Sequence, residues 1–218
     1  VTPDSFYAGS RVLAADAAIE RAFALERAGA DILDIGGEST RPGSEGITIE
    51  EELERVLPVL EGLRGKLKIP VSIDTRRSRV AEAAIAAGAE MLNDVTGLRA
   101  DPGLADVARR HRLPVVLMHM RGEPRTMQKR PFARNILRDV AAGLRAALAR
   151  ARKAGIAKSQ IVLDPGIGFG KSFRQNYELL ARLPELARLG RALAGDGIAI
   201  PRDVLTLDAL VEALAPVR

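Results

Sequence analysis

Short apolar segments alternate along the chain with longer segments in which apolar residues recur at helical spacing. Runs of four to six apolar residues are typical of strands that are buried on both faces of a sheet. Each short segment ends in a polar or turn-forming residue. The pattern predicts five strands, at 31–36 (DILDIG), 71–75 (VSIDT), 90–95 (EMLNDV), 115–120 (VVLMHM) and 161–165 (IVLDP).

The longer segments carry the spacing and the end signals of amphipathic helices. The clearest apolar faces lie in 15–25, 53–63 and 140–151. Thr48 and Glu51 have the spacing of a capping box at a helix start. Glycines follow three helical patterns and precede a strand, where a left-handed cap ends a helix: Gly29, Gly88 and Gly155.

The repeated order of strand and helix predicts a parallel sheet with right-handed crossovers. Both a (β/α)8 barrel and an open doubly wound sheet satisfy that order. We favour the α/β barrel of the TIM type, because polar residues end the alternating strands and barrel enzymes place their chemistry at those ends. The residues expected to converge on one mouth are Asp34, Asp74, Asn93, Met118 and Asp164.

Composition narrows the class of protein. A chain of 218 residues with 47% hydrophobic content suits a globular domain. The net charge is +5, but the arginines alternate with acidic residues and only five Phe and two Tyr are present. We therefore expect an anionic small-molecule substrate and no nucleic acid partner. The absence of Cys, of a long apolar run and of a leader pattern leads us to expect a cytoplasmic protein with no membrane partner.

The segment LDPGIGFGKS resembles a phosphate-binding loop but does not meet its spacing. In a Walker-type loop the first glycine would stand at position 165, which is Pro165, and proline lacks the amide that binds phosphate. We interpret the glycines as allowing the backbone to pass close to a ligand held by Asp164. A tight turn between strand and helix is the alternative.

Acidic and amide side chains at the strand ends have the chemistry to bind a flat heterocycle. A carboxylate that closes an apolar strand must be paired, hydrogen-bonded or directed at a ligand. Asp74, Asp164 and Asn93 could accept and donate around the edge of such a ring, and Met118 could supply a polarizable face. A purely structural hydrogen-bond network inside the barrel is the alternative.

The two histidines do not predict a transition-metal site. His119 follows Met118 on a strand, so we expect its side chain to face the helices, and His111 lies in a basic stretch that favours solvent. Mg2+ is the metal ion that remains possible, through oxygen ligands and substrate phosphates.

Six motifs in this order resemble the dihydropteroate synthase family: VTPDSF, DILDIGGESTRPG, SIDT, NDVTG, VLMHMRGEPRTMQ and IVLDPGIGFGKS. The resemblance runs from Val1 to about Leu189. It implies a barrel that condenses 6-hydroxymethyl-7,8-dihydropterin diphosphate with 4-aminobenzoate, releasing diphosphate, in folate biosynthesis. It also implies Mg2+ on the diphosphate and a homodimer.

The resemblance also implies roles for particular residues. Asp74, Asn93 and Asp164 would hold the pterin ring, lined by Met118. Thr40 and Arg41 would contact substrate near the diphosphate, and two mobile loops would form the aminobenzoate pocket. Those loops contain Asp4, Phe6, Ser39 and Pro42. Asp4, Arg41 and Asp74 are the expected catalytic residues, and the family's Asn ligand to Mg2+ would precede Val1.

The resemblance weakens toward the end of the chain. The family's Ser-Arg-Lys-Ser and Arg-Val-His motifs are absent, and Lys171 or Arg202 is a candidate replacement for the lost cation. We expect a pterin-binding barrel domain over 1–190 and a divergent tail over 191–218, with a short strand at 198–200 and a helix from about Thr206. The barrel would then be incomplete, with about six strands.

Synthase activity of such a chain is expected to be weak or absent. Two alternatives stay open. The first is a pterin-binding homolog without catalysis, and the second is a folate-binding methyltransferase barrel.

Overall fold

The structure is a computed structural model. It describes residues 1, 15–40, 46–123, 125–127, 129 and 131–194, with side chains as far as residue 188. The strand expected at 198–200 and the helix expected from Thr206 lie outside the described residues. None of the helices in the described part of the chain has the length and apolar character needed to cross a membrane.

Five parallel strands form one sheet whose spatial order, β1-β2-β3-β4-β5, follows the chain. A doubly wound sheet reverses its strand order at a switch point, whereas a barrel adds each strand beside the previous one. The observed order is that of the (β/α)8 barrel and confirms the predicted class. The strands are β1 (Leu33–Gly36), β2 (Val71–Asp74), β3 (Met91–Asp94), β4 (Val115–Met118) and β5 (Ile161–Asp164).

Each strand is four residues long, one or two residues shorter than the pattern predicted. Thr75 shows the reason at the end of β2: its amide still bonds to the Asn93 carbonyl, but the chain then turns toward the next helix. The polar residues that the pattern assigned to strands therefore lie partly in the loops at the carboxyl ends.

Helices cover one face of the sheet. They are α1 (Ala15–Arg27), α2 (Ile49–Leu63), α3 (Ser78–Ala86), α4 (Gly103–His111), α5 (Ile136–Lys153), α6 (Phe173–Ala181) and α7 (Leu183–Ala194). The capping box of Thr48 and Glu51 is confirmed at the start of α2. The predicted left-handed glycines are confirmed too, with φ of 97° at Gly29, 117° at Gly88 and 82° at Gly155.

The two faces of the sheet differ in chemistry. Toward the helices, Ile73, Leu92 and Leu117 are completely buried in the main apolar core. The opposite face is the barrel interior. By the register of the strands it carries Asp34, Gly36, Ser72, Asp74, Met91, Asn93, Val116, Met118, Val162 and Asp164. Burial of the helix-facing residues fixes the register, and the register determines which polar residues share the interior.

Candidate functional site

The four residues predicted to bind the ring lie close together on neighbouring strands of the sheet. Asp74 is directly opposite Asn93 on β3, and Met118 is opposite Asp164 on β5. All four lie at the carboxyl ends of their strands and on the interior face. Asp74, Asn93 and Asp164 are half-buried, and Met118 is buried, so the polar groups can reach a ligand above the sheet.

Asp34, which the strand pattern also predicted at this mouth, contacts the group through Asn93. Its Oδ2 accepts a hydrogen bond of 2.8 Å from Asn93 Nδ2. The residue remains accessible to solvent at the open side of the sheet. Surrounding protein atoms replace part of its hydration and so raise its pKa, while the bond from Asn93 opposes that rise.

Asp74 has the most strongly perturbed carboxyl group of the site. Burial raises its pKa well above the ordinary value, and the negative charge of Asp34 raises it further. Carboxyl groups with strongly raised pKa values cluster at sites that bind or transform ligands. The pair of Asp34 and Asp74 therefore favours a ligand that brings hydrogen-bond donors or positive charge.

Asp164 is positioned by the glycine-rich loop that follows it. Its Oδ1 accepts a bond of 2.7 Å from the amide of Gly166, and its backbone carbonyl accepts one of 2.9 Å from the amide of His119. Gly166 has φ of +66°, and a Cβ added there would overlap the His119 carbonyl oxygen. The loop thus needs glycine for close packing of backbone on backbone. The sequence interpretation assigned the glycines to close approach of a ligand; the close contact at Gly166 is with the backbone of the loop after β4, and the approach of a ligand stays a prediction.

An apolar patch lies beside the polar layer. Met118, Met120 and Met127 are buried together with Val95, and Phe169 packs against them. Methionine and phenylalanine provide the adaptable, polarizable surface on which a flat ring can pack. Sequence reasoning singled out Met118 alone, although Met120 stands two residues further on in the predicted strand 115–120 and so on the same face. Met127 and Phe169 come from loops whose packing has no periodic signature.

The loop after β1 is held by an ion network. Glu38 accepts from Arg76 at 2.9 Å and from Arg77 at 3.1 Å, and Arg77 also pairs with the completely buried Glu52. Arg77 reaches the carbonyl of Ile47 as well, at 2.5 Å. The network fixes both ends of the loop that carries Ser39 and Thr40.

Ser39 and Thr40 line a pocket of about 430 Å³. The pocket lies between the loops that follow β1 to β4, and Arg76, Arg99 and Arg125 contribute to its wall. None of the four predicted ring-binding residues is among its lining residues within the described ranges. A larger, shallower depression of about 570 Å³ lies between α3 and α4, away from the strand ends.

Asp94 is a further acidic residue, and its role was not predicted. It is completely buried on the helix side of β3. Its carboxylate accepts from Thr96 N at 2.8 Å, from Thr96 Oγ1 at 2.7 Å and from Leu98 N at 2.5 Å. Asp94 therefore shapes the loop after β3 and does not face the ligand side.

The two histidines behave as predicted. His119 is 7% exposed, faces α5 and lies 3.7 Å from Asp139. Burial lowers its pKa to about 3, and the positive charges of Lys171, Arg99 and Arg121 lower it further. His111 is exposed and pairs with Glu82 on the outer surface.

Lys171 does not replace the cationic side chain of the Ser-Arg-Lys-Ser motif, which is absent from this sequence. It is 1% exposed and its Nζ donates to three backbone carbonyl groups, those of His119, Gly166 and Phe169. An ammonium group enclosed in this way has no path to a substrate. Arg202, the other candidate, lies outside the described residues.

The remaining predicted site residues, Asp4, Phe6, Arg41 and Pro42, also lie outside the described residues. Within the ranges that are described, no group of three His, Cys, Asp or Glu side chains is arranged to hold a metal ion.

The family of this chain follows from comparison with known proteins. The family model described as "Pterin binding enzyme" matches residues 1–198. The chain belongs to the pterin-binding enzyme family. Its member "Dihydropteroate synthase" of Synechocystis is 46% identical over 189 residues, which are 87% of this chain and 65% of that protein. The chain thus spans just under two thirds of the length of this curated relative.

Solved structures of the family support the same relationship. The Yersinia pestis dihydropteroate synthase in complex with a sulfonamide drug has a TM-score of 0.81 and 42% identity, covering 87% of this chain and 68% of that one. The Xanthomonas albilineans dihydropteroate synthase with 4-aminobenzoic acid has a TM-score of 0.76 and 40% identity, covering 92% and 76%. This family membership gives the polar strand ends a specific candidate ligand.

Proposed function

We propose that this chain binds a pterin ring at the carboxyl ends of β2, β3 and β5 and acts as a dihydropteroate synthase. The reaction condenses 6-hydroxymethyl-7,8-dihydropterin diphosphate with 4-aminobenzoate to give 7,8-dihydropteroate and diphosphate. The single observation that carries the proposal is the shared interior face, where Asp74, Asn93 and Asp164 lie at strand ends beside Met118.

The acidic groups suit the donor edge of the ring. A pterin presents an amino group and a ring N–H side by side, which a carboxylate can accept together. Ring donors would replace the hydration that Asp74 has lost and would favour its ionised form. Because Asn93 gives Nδ2 to Asp34, its Oδ1 is the atom left to accept from the ring.

The same carboxylates suit the chemistry. The bond between the methylene carbon and the diphosphate oxygen breaks, and its electron pair leaves with the diphosphate. The amine nitrogen of 4-aminobenzoate bonds to that carbon and then loses a proton. Positive charge that develops on the pterin during this step would be stabilised by Asp74 and Asp164, which are held in place by the sheet. This reaction needs no histidine as a base.

Mg2+, a homodimer and a cytoplasmic location belong to the same proposal and are supported by the resemblance to the synthases. Among the described residues no group of three His, Cys, Asp or Glu side chains could hold a metal ion by itself, so the proposed Mg2+ would depend on oxygen atoms of the substrate diphosphate. The catalytic roles proposed for this chain are therefore limited to the groups that contact the ring.

Calorimetric titration with the pterin diphosphate, with and without 4-aminobenzoate and Mg2+, tests the proposal, together with coupled detection of released diphosphate. We expect saturable binding that is lost in Asp164→Asn and retained in Asp31→Asn. Asp31 is a matched control, because it is exposed and precedes β1 at the opposite end of the strand from the site.

Each outcome identifies one function. Formation of dihydropteroate supports the synthase. Binding of the pterin without product points to a non-catalytic pterin-binding protein, and binding of a reduced methylfolate in its place points to a methyltransferase barrel. Absence of pterin binding contradicts the proposed site.

A further inference from the structure

Lys171 is a buried cation that the proposed reaction does not use. It is 1% exposed, and its Nζ lies 3.1 Å from the His119 carbonyl oxygen, 2.6 Å from that of Gly166 and 3.0 Å from that of Phe169. A protonated lysine has three N–H donors, so the three carbonyl groups match its full donor capacity. Such complete satisfaction indicates a specific task for the ammonium group.

The three carbonyl groups come from two different loops. His119 follows β4 directly, whereas Gly166 and Phe169 belong to the loop after β5. The ammonium group therefore joins the two loops at the carboxyl end of the sheet. The loop after β5 is in turn bonded to a residue of the proposed ligand site, because the amide of Gly166 donates to the carboxylate of Asp164 at 2.7 Å.

The backbones of the two loops approach each other closely around Lys171. A Cβ at Gly166 would overlap the His119 carbonyl oxygen, and one at Gly170 would overlap that of Arg121. With the backbones this close, the ammonium group reaches between them and donates to carbonyl oxygens removed from water, and the Gly166 carbonyl oxygen also accepts from the Phe169 amide at 3.2 Å. Burial lowers the pKa of Lys171 to about 7, and the charge of Asp164 opposes this lowering.

We propose that Lys171 is a positioning residue for the pterin site: its ammonium group holds the loop after β5 against the end of β4, and the loop in turn orients the carboxylate of Asp164. The inference rests on the proposed function only in naming the ring as the ligand of Asp164. The holding of the loop is a property of the chain itself and can be measured without ligand.

Two readouts on Lys171→Met test this role. The variant keeps an unbranched side chain, shorter by the terminal nitrogen, and removes its donors. Lys153→Met is the matched control, because Lys153 is an exposed lysine on the last turn of α5. In amide hydrogen exchange by NMR we expect Lys171→Met to lower the protection of Gly166 roughly tenfold or more, with Leu117 in β4 unchanged. The affinity for 6-hydroxymethyl-7,8-dihydropterin should fall roughly tenfold for the same reason.

The wild-type chain provides a second measurement if Lys171→Met does not fold. As the pH rises through the lowered pKa of Lys171, the ammonium group becomes an amine with only two donors. The protection factor of Gly166 should then fall while that of Leu117 stays constant. The pterin affinity of the wild type should fall over the same range.

The outcomes separate the two proposals. Unchanged Gly166 protection, in folded Lys171→Met or across the wild-type titration, overturns the inference. The inference is also overturned if Lys171→Met binds the pterin as tightly as wild type while Asp164→Asn has lost binding. A wild-type chain that does not bind the pterin contradicts the proposed function instead, and the exchange data still decide whether Lys171 holds the loop.

Discussion

Replacing Gly166 by alanine tests whether the glycine-rich loop is required for close backbone packing. Gly166 has φ of +66°, and the added Cβ would overlap the His119 carbonyl oxygen and lie 3.0 Å from Met118 Cγ. Gly168→Ala is the matched control in the same loop. Gly168 has φ of +87°, and a Cβ there meets nothing within 4 Å among the described residues.

The two variants share one energetic cost and differ in another. The left-handed conformation costs an alanine about 1–2 kcal/mol, which applies at both positions. At Gly166 the overlap forces the loop away from His119, so the bond to the charged Asp164 is lost at a further cost of about 1.5–3 kcal/mol. We expect Gly168→Ala to lower the free energy of unfolding by about 1–2 kcal/mol and Gly166→Ala by about 2.5–5 kcal/mol.

Urea unfolding followed by circular dichroism measures both values, and calorimetry gives the pterin affinity of each folded variant. We expect Gly166→Ala to lose most of its affinity and Gly168→Ala to retain it. Equal destabilisation of the two variants, or retained binding in Gly166→Ala, would refute the reasoning that close packing of this loop orients Asp164.

Three further predictions follow from the site and the caps. Asp74→Asn should weaken pterin binding roughly 10- to 100-fold at pH 7, measured by calorimetry, because a charged acceptor is lost; an unchanged affinity would remove Asp74 from the site. The pKa of Asp74 is higher in the folded chain than in the unfolded chain. Between these two pKa values the folded chain binds more protons, so the contribution of this carboxyl group to the free energy of unfolding falls as the pH rises. Asp74→Asn should therefore also raise the free energy of unfolding at pH 7 in urea titrations, and a decrease would contradict the assigned burial effect. In Lys171→Met, which lacks the titration of that lysine, pterin affinity should rise with pH as Asp74 ionises and then level off, because the ionised carboxylate is the binding form; affinity that falls as Asp74 ionises in this variant would count against that form. Thr48→Ala should lower the free energy of unfolding by about 1 kcal/mol through loss of the capping box, with pterin affinity unchanged.

The interior face could be predicted because strands have a period of two. Apolar residues such as Ile73 and Leu92 must face the helices, which leaves Asp74 and Asn93 on the other side. The same rule placed His119 opposite to Met118. Strand order could not be derived from periodicity, and the preference for a barrel depended on the polar strand ends.

The side-chain roles that could not be predicted from the sequence depend on contacts between loops that are distant along the chain. Lys171 looked like a candidate for an exposed cation, because nothing local shows that three carbonyl groups of two loops enclose it. Asp94 follows Asn93 directly, yet the strand turns it toward the helix side, where it shapes its own loop. Met127 reaches the apolar patch from a loop with no repeating pattern.

A crystal structure of the chain with bound 6-hydroxymethyl-7,8-dihydropterin tests the central claim most directly. The proposed site predicts that the ring lies on the interior face, within hydrogen-bonding distance of Asp74, Asn93 and Asp164 and in contact with Met118. A ring bound in the arginine-lined pocket beside Thr40, with those carboxylates free of it, would contradict the claim.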